Sequence, residues 1–115
     1  MDILGFIKDR DNYNERVVGR YDNEDGTCMI STAYVSDGVK PYETAFQHPD
    51  YKDGEVLIVE AYSTKEEALR GHEKWLKIMM EGPLPDFLTE YPNAGIAQLY
   101  KVLGGDMQFK RKKTR

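Results

Sequence analysis

The fold of this chain is decided by the stretch Ser63-Thr-Lys-Glu-Glu-Ala-Leu-Arg-Gly-His-Glu-Lys-Trp-Leu-Lys-Ile-Met-Met-Glu81. Its apolar residues recur at helical spacing and form one stripe, whereas charged residues fill the other sides. Gly71, in the middle, costs about 1 kcal/mol relative to alanine. This cost indicates that a strand or an aromatic ring approaches the helix closely there. We therefore predict an amphipathic helix over 64–81 whose core side chains include His72, Trp75, Leu76 and Met79.

Both ends of this helix carry local signals. Ser63 with Glu66, or Thr64 with Glu67 one residue later, can form a capping box, in which the hydroxyl and the carboxylate satisfy free backbone donors. The pair Gly82-Pro83 ends the helix, because glycine adopts the conformation that closes the last turn and proline cannot continue it. The helix bounds are therefore well defined by sequence.

Four segments before the helix have the composition of β-strands. The first and third alternate with a period of two residues, the second is rich in β-branched and aromatic residues, and short stretches rich in Asp, Gly and Pro separate the segments. Short turns favour an antiparallel meander. The last segment is nearly continuous in apolar residues, which favours a central, two-sided position and places Leu57 and Val59 in the core. The predicted strands are 15–21, 28–35, 42–48 and 55–62.

The part of the chain after the helix is less regular. Two prolines within 84–91 predict a packed loop or a single helical turn. A short helix is predicted over 94–103, capped by Asn93 and ended by two glycines. At 115 residues the chain has the length of one domain. We predict a single α+β domain over 1–109 and a basic tail over 110–115.

The charge of the chain is divided between body and tail. The net charge is −4, and the last six residues contain five bases and no acid. Removing those five charges leaves −9 for residues 1–109. A basic tail on an acidic body can contact nucleic acid, an acidic partner or a neighbouring copy. We predict an electrostatic contact strip made of Lys110, Arg111, Lys112, Lys113 and Arg115.

Few residues fit catalytic patterns. His48 and His72 are the two histidines, and their spacing fits neither a zinc site nor a metalloprotease motif. Cys28 is the single cysteine, and the serines and glycines form no nucleophile elbow and no phosphate loop. No catalytic residue, metal ligand or cofactor is predicted, nor is a membrane-spanning segment. The tyrosines offer contact area at low entropic cost, and we predict Tyr42 and Tyr51 as contact residues.

One region of the chain resembles a known group of proteins. Pro41-Tyr-Glu-Thr-Ala-Phe-Gln-His-Pro49 is followed by Gly54, Val59-Glu-Ala-Tyr62, Thr64-Lys-Glu-Glu-Ala68 and Gly71-His-Glu-Lys-Trp75. In this order the residues resemble a group of small proteins of tailed bacteriophages. The resemblance covers about a third of the chain and implies a phage origin, but no activity and no site residue.

These observations lead to three hypotheses of function. The first is a non-enzymatic phage protein that acts by protein–protein contacts, as a small virion or assembly component in the host cytoplasm or the virion. Its partners would be other protein subunits and possibly, through the tail, nucleic acid. The second is a host-takeover or anti-defence protein whose acidic body blocks a host nucleic-acid-binding enzyme. The third is a small ferredoxin-like enzyme or ligand binder, with His72, His48 or Glu60 in a pocket between helix and sheet.

Overall fold

The computed structural model describes residues 16–35, 39–91 and 108–112. It confirms the predicted α+β class, because a four-stranded antiparallel sheet is packed against one helix. The predicted helix over 94–103 lies outside the described residues. The elements are β1 (Val17–Asp22), β2 (Met29–Tyr34), β3 (Tyr42–Gln47), a 3₁₀ turn (Lys52–Gly54), β4 (Leu57–Tyr62), α1 (Lys65–Glu81), β5 (Phe87–Thr89) and β6 (Gln108–Lys110).

The large sheet is the predicted meander, with strands in the order β1-β2-β3-β4. The prediction that the last strand is central is wrong, because each strand of a meander pairs with the one before it and β4 therefore ends the order. Its apolar content reflects burial of its side chains: Leu57 is fully buried and Val59 packs against the core. At its open edge, the Ile58 carbonyl accepts a hydrogen bond from the Tyr91 N–H at 2.6 Å.

Helix α1 begins after Thr64, so the second of the two predicted capping pairs is the one formed. The Thr64 hydroxyl accepts from the Glu67 N–H, and the Glu67 carboxylate accepts from the Thr64 N–H. The Gly82 N–H donates to the Ile78 carbonyl and ends the helix where the sequence predicts.

Within the described residues, no helix is both long enough and apolar enough to cross a membrane.

The core lies between α1 and the sheet and extends under the segment after the helix. The predicted core residue Leu57 is fully buried, whereas Val59, Trp75 and Met79 are partly buried and pack against the core. His72 and Leu76 are half-buried. Other members were not predicted from the sequence. The buried cluster consists of Ile30, Phe46, Tyr51, Leu57 and Leu88.

The segment after the helix contains a strand, which corrects the prediction of a loop or helical turn over 84–91. Strand β5 pairs antiparallel with β6, and this two-stranded ribbon includes Lys110. The backbone continues onto the body beyond the ribbon: the Arg111 N–H donates to the Asp86 carbonyl and the Lys112 N–H donates to the Asp50 carbonyl. The predicted tail therefore starts inside a strand, at a pairing between distant segments that no local pattern indicates.

Candidate functional site

A chain of polar side chains crosses the interface between α1 and the sheet. Its first members are the hydroxyls of Thr32 and Thr44, which are fully buried and 2.7 Å apart. Nδ1 of His72, on the helix, lies 2.8 Å from the Thr32 hydroxyl. The imidazole ring packs against Gly19 of β1, where an added Cβ would lie 2.6 Å from Nε2. Buried polar groups are stable only when they are hydrogen-bonded, and these are bonded to one another.

The polar chain continues through Tyr62 to the edge of the sheet. The Tyr62 hydroxyl lies 3.0 Å from the Thr44 hydroxyl and donates to Oε1 of Glu60 at 3.1 Å. The same carboxylate oxygen accepts from Nζ of Lys74 at 2.6 Å and from Nε1 of Trp75 at 2.8 Å. Glu60 therefore joins the interior chain to two helix residues that are one position apart, and this fixes the rotation of α1 on the sheet.

The protonation states of the chain follow from its surroundings. Burial raises the pKa of Tyr62 far above its ordinary value, with the nearby Glu60 charge contributing, so the phenol stays protonated. Burial also acts to raise the pKa of Glu60, but the hydrogen bonds from Lys74 and Trp75 outweigh it and the net shift is downward. Glu60 is therefore an ionised acceptor, and Tyr62 is a neutral donor.

An open cleft adjoins the end of this polar chain. It lies between the last residues of β4 and the first turns of α1 and has a volume of about 400 Å³. Tyr62 and Gly71 line it, together with the cationic residues Lys40, Arg70 and Lys74 and the acidic residues Glu60 and Glu67. Neither histidine lines the cleft, so of the three residues predicted for a helix–sheet pocket only Glu60 is placed there.

A second polar cluster joins the turn after β3 to the ribbon. Nδ1 of His48 accepts from the Asp50 N–H at 3.0 Å, and the Asp50 carboxylate pairs with Nε of Arg111 at 3.1 Å. Tyr51 packs edge-on against the rings of Phe46 and His48, and its hydroxyl donates to the Pro85 carbonyl. This cluster is separate in its contacts from the one around His72, so the two histidines are not brought into one site.

The predicted contact residues have different surroundings. Tyr51 is only 1% exposed, which corrects its assignment to a contact surface: the ring is needed in the core under the ribbon. Tyr42 is half-buried and stacks edge-on with Tyr34. Lys110 and Lys112 are exposed, whereas Arg111 is tied to Asp50. Lys113 and Arg115 lie outside the described residues.

Thr32 and Thr44 are not among the site residues predicted from the sequence, although the alternation of the strand residues indicates that they are buried. In the alternating patterns of β2 and β3, Thr32 and Thr44 fall on the same side as Ile30 and Phe46, which belong to the core. Two threonines on the buried face of paired strands can satisfy one another. Strand alternation therefore indicates the site, provided that polar residues are not assigned to the solvent face by default.

Comparisons with other proteins found no relative of this chain. No protein-family profile, no curated protein and no solved structure matches the chain. Among residues 16–35, 39–91 and 108–112, no group of three or more His, Cys, Asp and Glu side chains is arranged to hold a metal ion.

The histidines predict a pH dependence of stability. Burial, the largest cause for each, lowers the pKa of His72 and of His48 below the ordinary value of about 6.5. Below about pH 6.5 the unfolded chain therefore binds more protons than the folded one. As the pH decreases, the free energy of unfolding decreases too, until the histidines of the folded protein are also protonated. Urea unfolding at several pH values between about 7.5 and 5.5 measures this loss of stability. Both histidines contribute to it with the same sign.

Two variants separate the contributions. His72→Gln and His48→Gln are each expected to flatten the pH profile in this range, because each removes one group whose pKa differs between the folded and unfolded states. The slope, and not the absolute stability, is the readout, since the glutamine side chains also change hydrogen bonds. A free energy of unfolding that rises as the pH falls from 7.5 to 5.5 would contradict the assignment.

Proposed function

We propose that this is a non-enzymatic bacteriophage protein that acts by protein–protein contacts, as a small virion or assembly component that binds further copies of itself. The observation that carries the proposal is the outer face of the β5–β6 ribbon. There an exposed phenylalanine and a lysine of the basic strip lie directly across from each other. The bacteriophage origin rests on the resemblance over Pro41 to Trp75.

The ribbon has two different faces. Leu88 and Phe109 are paired across the strands and face inward, where Leu88 is buried and Phe109 packs against the core. The alternate residues face outward, and Phe87 is 55% exposed with Lys110 as its partner in register. We call the outward set the ribbon face. It consists of Phe87, Thr89, Gln108 and Lys110, all of them exposed.

The ribbon face is supported from behind and is therefore suited to a contact. Nζ of Lys52 lies 5.3 Å from the centroid of the Phe109 ring and pairs with Glu90 at 3.1 Å. Arg111 is held to Asp50, directly after the ribbon. Because these contacts order the backbone of the ribbon, binding does not have to bear the whole entropic cost of ordering a tail.

The chemistry of the ribbon face indicates the kind of partner. An aromatic ring next to a lysine fits an acidic surface that offers apolar area at its centre, since aromatic residues act as anchors and nearby charges steer the approach. Residues 1–109 carry a net charge of −9, so another copy of the chain offers charge opposite to that of Lys110. A contact of this kind joins different patches of two copies and generates rings or filaments.

Light scattering on the full-length chain tests the proposal. We expect a mass above that of a monomer at about 50 mM NaCl and a lower mass at about 500 mM, because screening weakens contacts between exposed charges. The double variant Phe87→Ser/Lys110→Glu is expected to be monomeric at both salt concentrations.

The matched control is Lys77→Glu, which makes the same charge change at an exposed position on α1 and should assemble like the wild type. A wild-type chain that is monomeric at both salt concentrations would overturn self-association. It would favour the alternative in which the acidic body blocks a host nucleic-acid-binding enzyme.

A further inference from the structure

The cleft beside β4 is a second candidate binding surface, distinct from the ribbon face. It has a volume of about 400 Å³ and is open to solvent on one side. That volume lies within the range of small-molecule sites, at its lower end. Because Gly71 has no side chain, the wall formed by α1 is backbone at this point, and the Tyr62 ring packs directly against it.

The acidic side chains that line the cleft are already engaged. Oε1 of Glu60 accepts from Tyr62, Lys74 and Trp75, as described above. Oε1 of Glu67 accepts from the N–H groups of Ser63 and Thr64, 3.2 Å away in each case. One oxygen of each carboxylate is therefore committed, that of Glu60 to the polar chain and that of Glu67 to the helix cap.

The cationic side chains that line the cleft have fewer contacts with neighbouring groups than Glu60 and Glu67. Lys74 pairs with Glu60, and Lys40 lies over the Tyr91 ring at 5.7 Å. Within the described part of the chain, neither Lys40 nor Arg70 forms an ion pair. The cleft therefore presents positive charge toward solvent on a body whose net charge is strongly negative.

We propose that this cleft binds a small organic anion through a phosphate or carboxylate group. Arg70 provides the planar set of donors that pairs with two oxygens of such a group, and Lys40, which also lines the cleft, supplies a second positive charge. The Ser63 hydroxyl also lines the cleft and offers a neutral donor. The mainly polar lining selects a hydrophilic ligand over an apolar one. This proposal does not depend on self-association through the ribbon face.

A titration of the ¹⁵N-labelled full-length protein followed by amide chemical shifts tests the proposal. The probes are inorganic pyrophosphate and citrate, added at constant ionic strength so that general screening does not change. We expect saturating shift changes for the amides of residues 62–74. A response to pyrophosphate alone would assign the site to phosphorylated ligands, and a response to citrate alone to carboxylates.

The decisive variant is Arg70→Gln, which is expected to weaken binding at least tenfold, and Lys40→Gln should weaken it by a smaller factor. The matched control is Lys77→Gln, which removes an exposed cation from the same helix outside the cleft and should bind like the wild type. Both changed helix positions are exposed, so the variants keep the fold, and their amide spectra will show it. Shift changes that do not saturate, or an unchanged affinity in Arg70→Gln, would overturn the proposal.

Discussion

Replacing Gly71 by alanine is expected to lower the free energy of unfolding by about 2–3 kcal/mol, although alanine is the better helix former. A Cβ at this position would lie 2.1 Å from the Tyr62 hydroxyl oxygen and 2.2 Å from Cζ of the same ring. The ring cannot move aside at low cost, because it is buried and its hydroxyl is bonded to both Thr44 and Glu60. The close approach predicted from the sequence is thereby confirmed, and the approaching group is an aromatic ring.

Urea unfolding of four chains measures this effect: the wild type, Gly71→Ala, Tyr62→Leu and the double variant. Tyr62→Leu is destabilising by itself, since Thr44 and Glu60 lose a partner. In that background, however, Gly71→Ala should cost at least about 1 kcal/mol less, because the atoms that it meets are gone. Lys77→Ala, at an exposed helix position, should change stability by less than about 0.5 kcal/mol. A Gly71→Ala variant that is more stable than the wild type would contradict this prediction, because it would show that the Tyr62 ring can move at low energetic cost.

Phe46→Ala is expected to be the most destabilising single truncation, by about 3–5 kcal/mol. The side chain is fully buried and meets the rings of Tyr51 and Trp75 edge-on, each with its centroid 5.7 Å away. These contacts join three parts of the fold, namely β3, the turn that follows it and α1. Truncation would leave a cavity among rings that are held by their own hydrogen bonds, which limits how far the site can collapse.

Phe87→Ala is the matched control for this truncation. It removes the same atoms from a side chain that is 55% exposed, and we expect a change below about 0.5 kcal/mol when unfolding is measured at high salt and low protein concentration. Under those conditions any contact through the ribbon face is weakened. Similar losses in the two variants would contradict the assignment of Phe46 to the centre of the core.

Local signals in the sequence predict the helix and the four main strands well. The capping pair at Thr64 and Glu67, the apolar stripe of α1 and the period-two segments each depend on residues close together in the chain. Their bounds in the structure differ from the predicted ones by at most two residues. Secondary-structure propensity and tertiary packing favour the same elements in this region, so the pattern within one stretch is sufficient to predict each element.

The remaining features depend on residues that are distant in sequence. The pairing of Phe87 with Lys110 joins two three-residue strands, and neither strand has enough residues to show a period. Tyr51 appears in a polar turn, and its burial follows from the ribbon that covers it. The edge position of β4 follows from the order of pairing, whereas its composition alone indicates the reverse.

The candidate site was predictable only in part. The sequence hypothesis of a helix–sheet pocket includes Glu60, but nothing in the sequence distinguishes Arg70 and Lys40 from ordinary surface cations. They line one cleft because β4 and α1 are consecutive and Lys40 lies just before β3, whose first residue, Tyr42, pairs with Tyr62 of β4. Convergence of this kind is a property of the topology, and no spacing in the chain encodes it.

The position of β6 has a consequence for the order in which the protein forms during synthesis. Residues 17–81 contain the whole four-stranded sheet and α1, so these elements can assemble as soon as that part of the chain has left the ribosome. The ribbon cannot close until residues 108–110 have been translated. In the interval, the core cluster that contains Tyr51 and Leu57 lacks Phe109, which packs against it in the complete fold. The nascent chain therefore passes through a stage in which one end of its core is open to chaperones.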